Sequence, residues 1–179
     1  MFITERIDNT IKKIKGQAAN ALTVLNLSFG SAAIIFLLND NLVTSFILIL
    51  LAALCDRFDG LVARKLNIVT DFGKQLDSLC DLVSFGIAPA FLLYAAVLHQ
   101  FGVPGVIFTI IFVVTGALRL ARFNLSESSA VFTGLPITAA GSLLAISSLL
   151  VTKWPPQVFM YLILILALLM ISNFKMKKI

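Results

Sequence analysis

At 179 residues the chain is the length of one domain, yet 59% of it is hydrophobic and only 13% charged, against about 45 to 50% apolar and about 25% charged residues in soluble domains. That balance excludes a soluble globular fold and points to a polytopic membrane protein, a single domain over residues 1–179. The formal charge of +5 is no nucleic-acid signal, because no soluble basic module carries it, and in a membrane chain Lys and Arg report orientation instead.

The predicted elements follow in order. Over residues 2–15, Ile3, Ile7, Ile11 and Ile14 form one helical stripe with Lys12, Lys13 and Lys15 elsewhere. This reads as an interfacial amphipathic helix, 1–16, with a frayed basic leader as the alternative. A six-span bundle is expected over about 21–172. The first span runs from about Ala21 to Leu38, closes at Asn39-Asp40-Asn41, and carries one notable polar residue, Asn26. The second, from Leu42 to Lys65, is about 36 Å long as a helix, enough to cross a core of about 30 Å and emerge. Residues 66–72 reverse the chain, and the third span runs from Gly73 to Leu98 with Pro89 as a kink. His99 falls in the following turn and reads as a solvent-facing loop residue. The fourth span, Val103 to Ala121, ends with Arg119 and Arg122 on one face. The fifth covers about Leu135 to Val151. Lys153-Trp154-Pro155-Pro156 make an interfacial turn, and the sixth covers Gln157 to Ile171 before a basic tail. Cys55 and Cys80 lie inside predicted helices, which argues against a disulfide framework. No cleavable signal peptide, internal repeat or linker is expected.

Six spans place both termini on one side, together with every Lys and Arg of the chain's 14 except Lys153. The positive-inside rule makes that side cytoplasmic.

Asp56, Asp59, Asp77 and Asp81 stand out against this apolar background. Asp56 and Asp59 are three apart and Asp77 and Asp81 four apart, so each pair shares a helix face. Both pairs fall at similar depth near the cytoplasmic leaflet. Four carboxylates in that setting repel one another unless cations neutralise them, and all-oxygen ligands suit hard divalent ions, Mg2+ or Mn2+. The economical reading is a two-metal site built by antiparallel helices. Gly60, Ala63 and Gly73 leave room for a ligand or a second backbone, and Arg64 offers a fixed charge suited to phosphate.

Written out, D-x-x-D-G-x-x-A-R, eight residues, then G-x-x-x-D-x-x-x-D resembles the signature of the CDP-alcohol phosphotransferases. All eight defining positions match: Asp56, Asp59, Gly60, Ala63, Arg64, Gly73, Asp77 and Asp81. L-D-S-L-C-D-L-V-S-F-G-I-A-P (76–89), R-L-A-R-F-N (119–124) and F-T-G-L-P (132–136) resemble the serine-using branch. Thr138 stands where that branch usually has a second proline.

The resemblance implies an all-α, polytopic integral membrane enzyme with six transmembrane helices and an N-terminal interfacial amphipathic helix. It implies that Asp56, Asp59 and Asp77 hold two divalent metal ions. Asp81 would be divided between ligation and the catalytic base that takes the acceptor's proton. Gly60, Ala63, Arg64 and Gly73 would line the CDP site. Asn26 would stand beside the nucleotide, although an Asn in a span can equally bond a neighbouring helix. The donor would be CDP-diacylglycerol or a CDP-ether lipid drawn from the surrounding membrane lipids, and CMP the leaving group. Arg119 and Arg122 could grip the carboxylate of L-serine; glycerol 3-phosphate or inositol phosphate would also suit them, and mere snorkelling to the interface is the plain alternative. A homodimer is implied too, with Gly86 and Ala90 permitting close helix packing. Two rival readings are weaker. The acids could form the cation path of a transporter, but the interleaved Gly, Ala and Arg and the one-sided depth count against it. Structural zinc through Cys55 and Cys80 lacks a nearby histidine.

Overall fold

The computed structural model describes the backbone of residues 2–65, 70–125, 132–172 and 175–176, and the side chains within 20–61, 70–125 and 134–172. The isoleucine stripe of residues 2–15, the tail lysines and the side chains of Ala63 and Arg64 therefore lie outside the described side chains. Among the described residues seven α-helices follow one another: α1 (Phe2–Leu38), α2 (Leu42–Lys65), α3 (Asp71–Asp81), α4 (Ala88–Ala96), α5 (Val103–Leu125), α6 (Ile137–Ser148) and α7 (Pro156–Ile171). The fold is all-α as expected; one two-residue antiparallel pair, β1 (Phe132–Thr133) with β2 (Lys175–Met176), joins the approach to α6 with the chain beyond α7.

The expected interfacial helix and first span share one uninterrupted backbone helix, α1. Nothing between them breaks it: Gly16 is tolerated, and no proline interrupts the run. The α1–α2 turn is built from local polar bonds. The Asn39 side chain donates to Ile35 O at 3.0 Å, Asp40 takes a left-handed φ of 57°, and Asn41 Oδ1 caps α2 by accepting from Thr44 N at 3.2 Å. At the head of α3, Thr70 caps Gly73 N at 3.0 Å.

Among the described residues, three stretches are long and apolar enough to cross a bilayer: Asn20–Leu38, Asp71–Ala96 and Val103–Leu125. α2, at 24 residues, is about 36 Å long. Large apolar side chains on these helices point outward, among them Ile35, Val43, Ile47, Leu54, Ile110 and Val114. On an integral membrane protein these are the faces that meet lipid. The expected fifth span is shorter than predicted. α6 has 12 residues and α7 has 16, about 18 and 24 Å. Pro136, Pro155 and Pro156 fix where these helices begin, and residues 149–154 are turns.

The third span is not a simple kinked helix. Between α3 and α4, Leu82–Ile87 winds as a π-helix, and Ala88 N–H bonds back five residues to Val83 O. The wider turn ends directly before Pro89, which has no N–H to offer and whose ring needs space on its N-terminal side. Ser84 Oγ donates to Asn26 O of α1 at 3.1 Å. Two glycines clasp this segment. A Cβ on Gly30 of α1 would collide with Ser84, and one on Gly141 of α6 with the backbone of Phe85. Around it lies the core: Phe85, Leu93, Phe112, Ile137, Leu144 and Ile163, all 0 to 1% exposed. Gly86 and Ala90 are buried in this same interior, so the close packing they permit is intramolecular and leaves no small-residue surface there for a second copy.

Gly30→Ala and Gly141→Ala should each lower the thermal midpoint in detergent, because overpacking against backbone costs about 1 to 3 kcal/mol. Midpoints equal to wild type in both variants would show that the π-helical segment yields freely.

Candidate active site

α2 and α3 bring the two acid pairs together. Asp56, Asp59 and Asp77 offer carboxylate oxygens that all lie within 4.8 Å of one another. Asp59 is 5% exposed. It is held by the Thr23 side chain of α1 and by the Gly60 backbone, while its Oδ2 is buried with no hydrogen-bond partner among the described residues. Asp81 stands outside this group of three but is joined to it: its carboxyl is in hydrogen-bonding contact with Asp56. Such a contact between two acids requires a shared proton or a cation between them.

The donor set fits divalent metal. It is all oxygen, drawn from two rigid helices, and it includes a buried carboxylate oxygen with no protein donor. Neither cysteine enters it. Cys55 and Cys80 are free thiols, and His99 sits in a 3-10 turn far along the chain, exposed, with Nδ1 3.3 Å from Tyr94 O.

The remaining predicted residues are placed as follows. Asn26 is fully buried, and its Nδ2 lies 3.5 Å from Asp81 Oδ1, a long hydrogen bond that realises the interhelical role weighed for it; its Oδ1 has no partner among the described residues. Gly60 lines the cleft in front of the acids. Gly73 sits at the first turn of α3, where an added Cβ would be 3.1 Å from Thr70 Oγ1 and 3.6 Å from Asn20 Oδ1. The backbone of Ala63 and Arg64 continues α2. The two candidate acceptor residues separate. Arg119 is half-buried, within electrostatic reach of Asp81, and its Nε is buried with no partner among the described residues. Arg122, one turn on, is exposed. The end of α5 that carries them is tied to α3 by Asn124, whose Nδ2 donates to Ser78 Oγ at 3.0 Å and to Gln75 Oε1 at 3.3 Å.

The acids open onto a cleft of about 610 Å³ whose lining includes Asp56, Asp59, Gly60, Asp77, Thr138, Ala139 and Ser142. Sequence reading missed Thr23, Ser142 and the pairing of Asn124 with Ser78. Asn124 lies inside R-L-A-R-F-N, quoted above, and Thr23 three residues before Asn26, but nothing in one sequence says which of several polar side chains crosses to another helix.

Fold and cleft together define an integral membrane enzyme with an acid-lined cleft inside a helical bundle. The family model for CDP-alcohol phosphatidyltransferases matches residues 17–171. The chain is 40% identical over 128 residues to the CDP-diacylglycerol–serine O-phosphatidyltransferase of Bacillus subtilis (strain 168), covering 71% of this chain and 72% of that protein. It is 42% identical over 157 residues to the protein of the same name from Methanocaldococcus jannaschii, covering 88% and 72%. It is 39% identical over 162 residues to the archaetidylserine synthase of Methanothermobacter thermautotrophicus, covering 88% and 68%. The chain belongs to the CDP-alcohol phosphatidyltransferase family and is a phosphotransferase, which removes the transporter alternative.

Mn2+ or Mg2+ should raise the thermal midpoint of the wild-type protein in detergent, by the equivalent of about 2.7 kcal/mol at a hundredfold excess over Kd. Asp59→Asn and Asp77→Asn should abolish that rise. A metal-independent midpoint in wild type would rule out a cation at these carboxylates.

Proposed function

We propose that this protein transfers the phosphatidyl group, or its archaeal ether-lipid equivalent, from a CDP-lipid to the hydroxyl of L-serine and releases CMP. The observation that carries this reading is the convergence of Asp56, Asp59 and Asp77 on one cleft, taken with relatives whose printed names specify serine. Asp56, Asp59 and Asp77, with a share from Asp81, hold two divalent ions, Mg2+ or Mn2+. When bound, these ions supply charge neutralisation for a phosphoryl group. The CDP moiety is held by Asn26, Gly60, Ala63, Arg64 and Gly73.

Serine's hydroxyl has a pKa far above neutral, so a base must take its proton as it attacks. Asp81 is the base. Its contact with Asp56 and its place beside Asn26 and Arg119 leave it next to the ligating acids without making it one of the converging three. The new O–P bond forms to the lipid-bearing phosphorus, the bond to CMP breaks, and the proton moves from serine to Asp81. No nucleophilic side chain is needed. Arg119 receives serine's carboxylate: its buried, unpartnered Nε is a donor without an acceptor, and a guanidinium binds carboxylate bidentately. Arg122 is the outer member of the pair.

The same proposal includes six spans, with α6 and α7 as the short last two, an interfacial N-terminal stretch of α1, and both termini and the cleft on the cytoplasmic side. Assembly as a homodimer belongs to it as well.

In detergent with metal present, L-serine should release CMP from CDP-diacylglycerol, while glycerol 3-phosphate and inositol phosphate should not. Excess chelator should stop the reaction. The reverse acceptor preference would leave the phosphotransferase and remove the serine assignment. Arg119→Lys keeps the charge and loses the fork, so the KM for serine should rise about tenfold or more with the KM for CDP-lipid unchanged; a rise confined to CDP-lipid would move Arg119 to the other substrate. For topology, a cysteine placed at Asn39, in a background lacking Cys55 and Cys80, should react with an impermeant maleimide added outside intact cells. Labelling only after lysis would reverse the orientation.

A further inference from the structure

Five hydroxyls on the described helices turn back on their own backbone, Ser28 and four others. Thr109 donates to Gly105 O at 2.8 Å, Thr115 to Phe112 O at 2.8 Å, Ser147 to Leu144 O at 2.6 Å and Ser148 to Ala145 O at 2.7 Å. This is how a hydroxyl in apolar surroundings avoids the cost of going unpaired. Thr138 and Ser142, on the same helix as Ser147 and Ser148, do otherwise. Both are half-buried, and neither donates to a protein acceptor among the described residues. They are four residues apart, hence on one face of α6, and that face lines the cleft opposite Asp56, Asp59 and Asp77.

We propose that Thr138 and Ser142 are substrate-binding residues that donate hydrogen bonds to the non-bridging phosphoryl oxygens of the CDP-lipid. The proposal rests on reading the cleft as the CDP-lipid site. A group lodged between an acid wall and a hydroxyl wall must interact with both. Serine's carboxylate is assigned to Arg119 beside Asp81, which is not among the residues lining this cleft; the cationic side chain that does line it, Arg57, would favour the phosphate as well. The tetrahedral phosphate suits the position between the walls: some of its oxygens face the acids, where cations mediate, and the others face away and need donors. Uncharged hydroxyls provide those donors without competing with the carboxylates for the cations.

The test uses the full-length protein in detergent with Thr138→Val, Ser142→Ala, the pair combined, and Thr138→Ser as the conservative variant. CDP-diacylglycerol binding is measured without acceptor, and KM for each substrate with the other saturating. Each hydroxyl removed should weaken CDP-diacylglycerol binding and raise its KM about tenfold, the scale of one hydrogen bond to a charged group. The KM for serine and the thermal midpoint should stay at wild-type values, and Thr138→Ser should restore binding. Ser147→Ala, which loses a bond to its own helix, should change neither KM. If the serine KM rises instead, the hydroxyl wall belongs to the acceptor and the proposal is overturned. It is overturned equally if wild type binds CDP-diacylglycerol and the double variant matches it. If wild type neither binds CDP-diacylglycerol nor releases CMP with any acceptor, the phosphotransferase reading falls with it.

Discussion

Four carboxylates inside an apolar bundle are the constraint on which the rest of this structure depends. Each would be costly to keep charged in a medium of low dielectric, and together they repel. Two guanidinium groups stand near them, Arg119 within electrostatic reach of Asp81 and Arg57 on the cleft lining. The chain also supplies a hydroxyl and a backbone group to Asp59, an amide to Asp81, and an open cleft in front of the group. An all-oxygen pocket with surplus negative charge and an unpartnered buried acceptor is one that a divalent cation could fill.

Much of the surrounding structure serves to hold that arrangement. α1 contributes Thr23 and Asn26 to the acids and Gly30 to the close approach of the π-helical segment. α6 packs Gly141 against the same segment from the other side and turns its next residue, Ser142, to the cleft. α5 is tethered by Asn124 to Ser78, the residue after Asp77.

The sequence made the acids legible because their spacing matches helical periodicity and their chemistry conflicts with their surroundings; no tertiary information was needed to see that Asp56 and Asp59 share a face. The start of α2 was legible near Leu42, because the polar turn at 39–41 precedes it. What stayed hidden depended on three-dimensional neighbours. Arg119 and Arg122 look equivalent in sequence, three apart on one face, but only Arg119 is drawn inward toward Asp81. Gly86 and Ala90 look like a surface for helix association, and the fold uses them inside. Thr138 and Ser142 look like ordinary helix hydroxyls until α6 is seen facing the acids. The short α6 was overestimated because apolar residues continue through 149–151, where the backbone has already turned.

The π-helical stretch has a consequence for how this family member can change. An α-helix advances about 100° per residue, so one residue more or less in a continuous helix rotates everything on one side of it relative to the other by that angle. The π turn at 82–87 is such an added residue, absorbed in place. The half carrying Asp77 is thereby phased to the acid-lined cleft, and the half carrying Leu92 and Leu93 is phased to the core. Removing one residue there would leave composition and hydrophobicity almost untouched and would still put one of the two faces out of step. The spacing between Asp81 and Pro89 is therefore as strictly specified as the spacing between the acids, although no charged or reactive group lies within it.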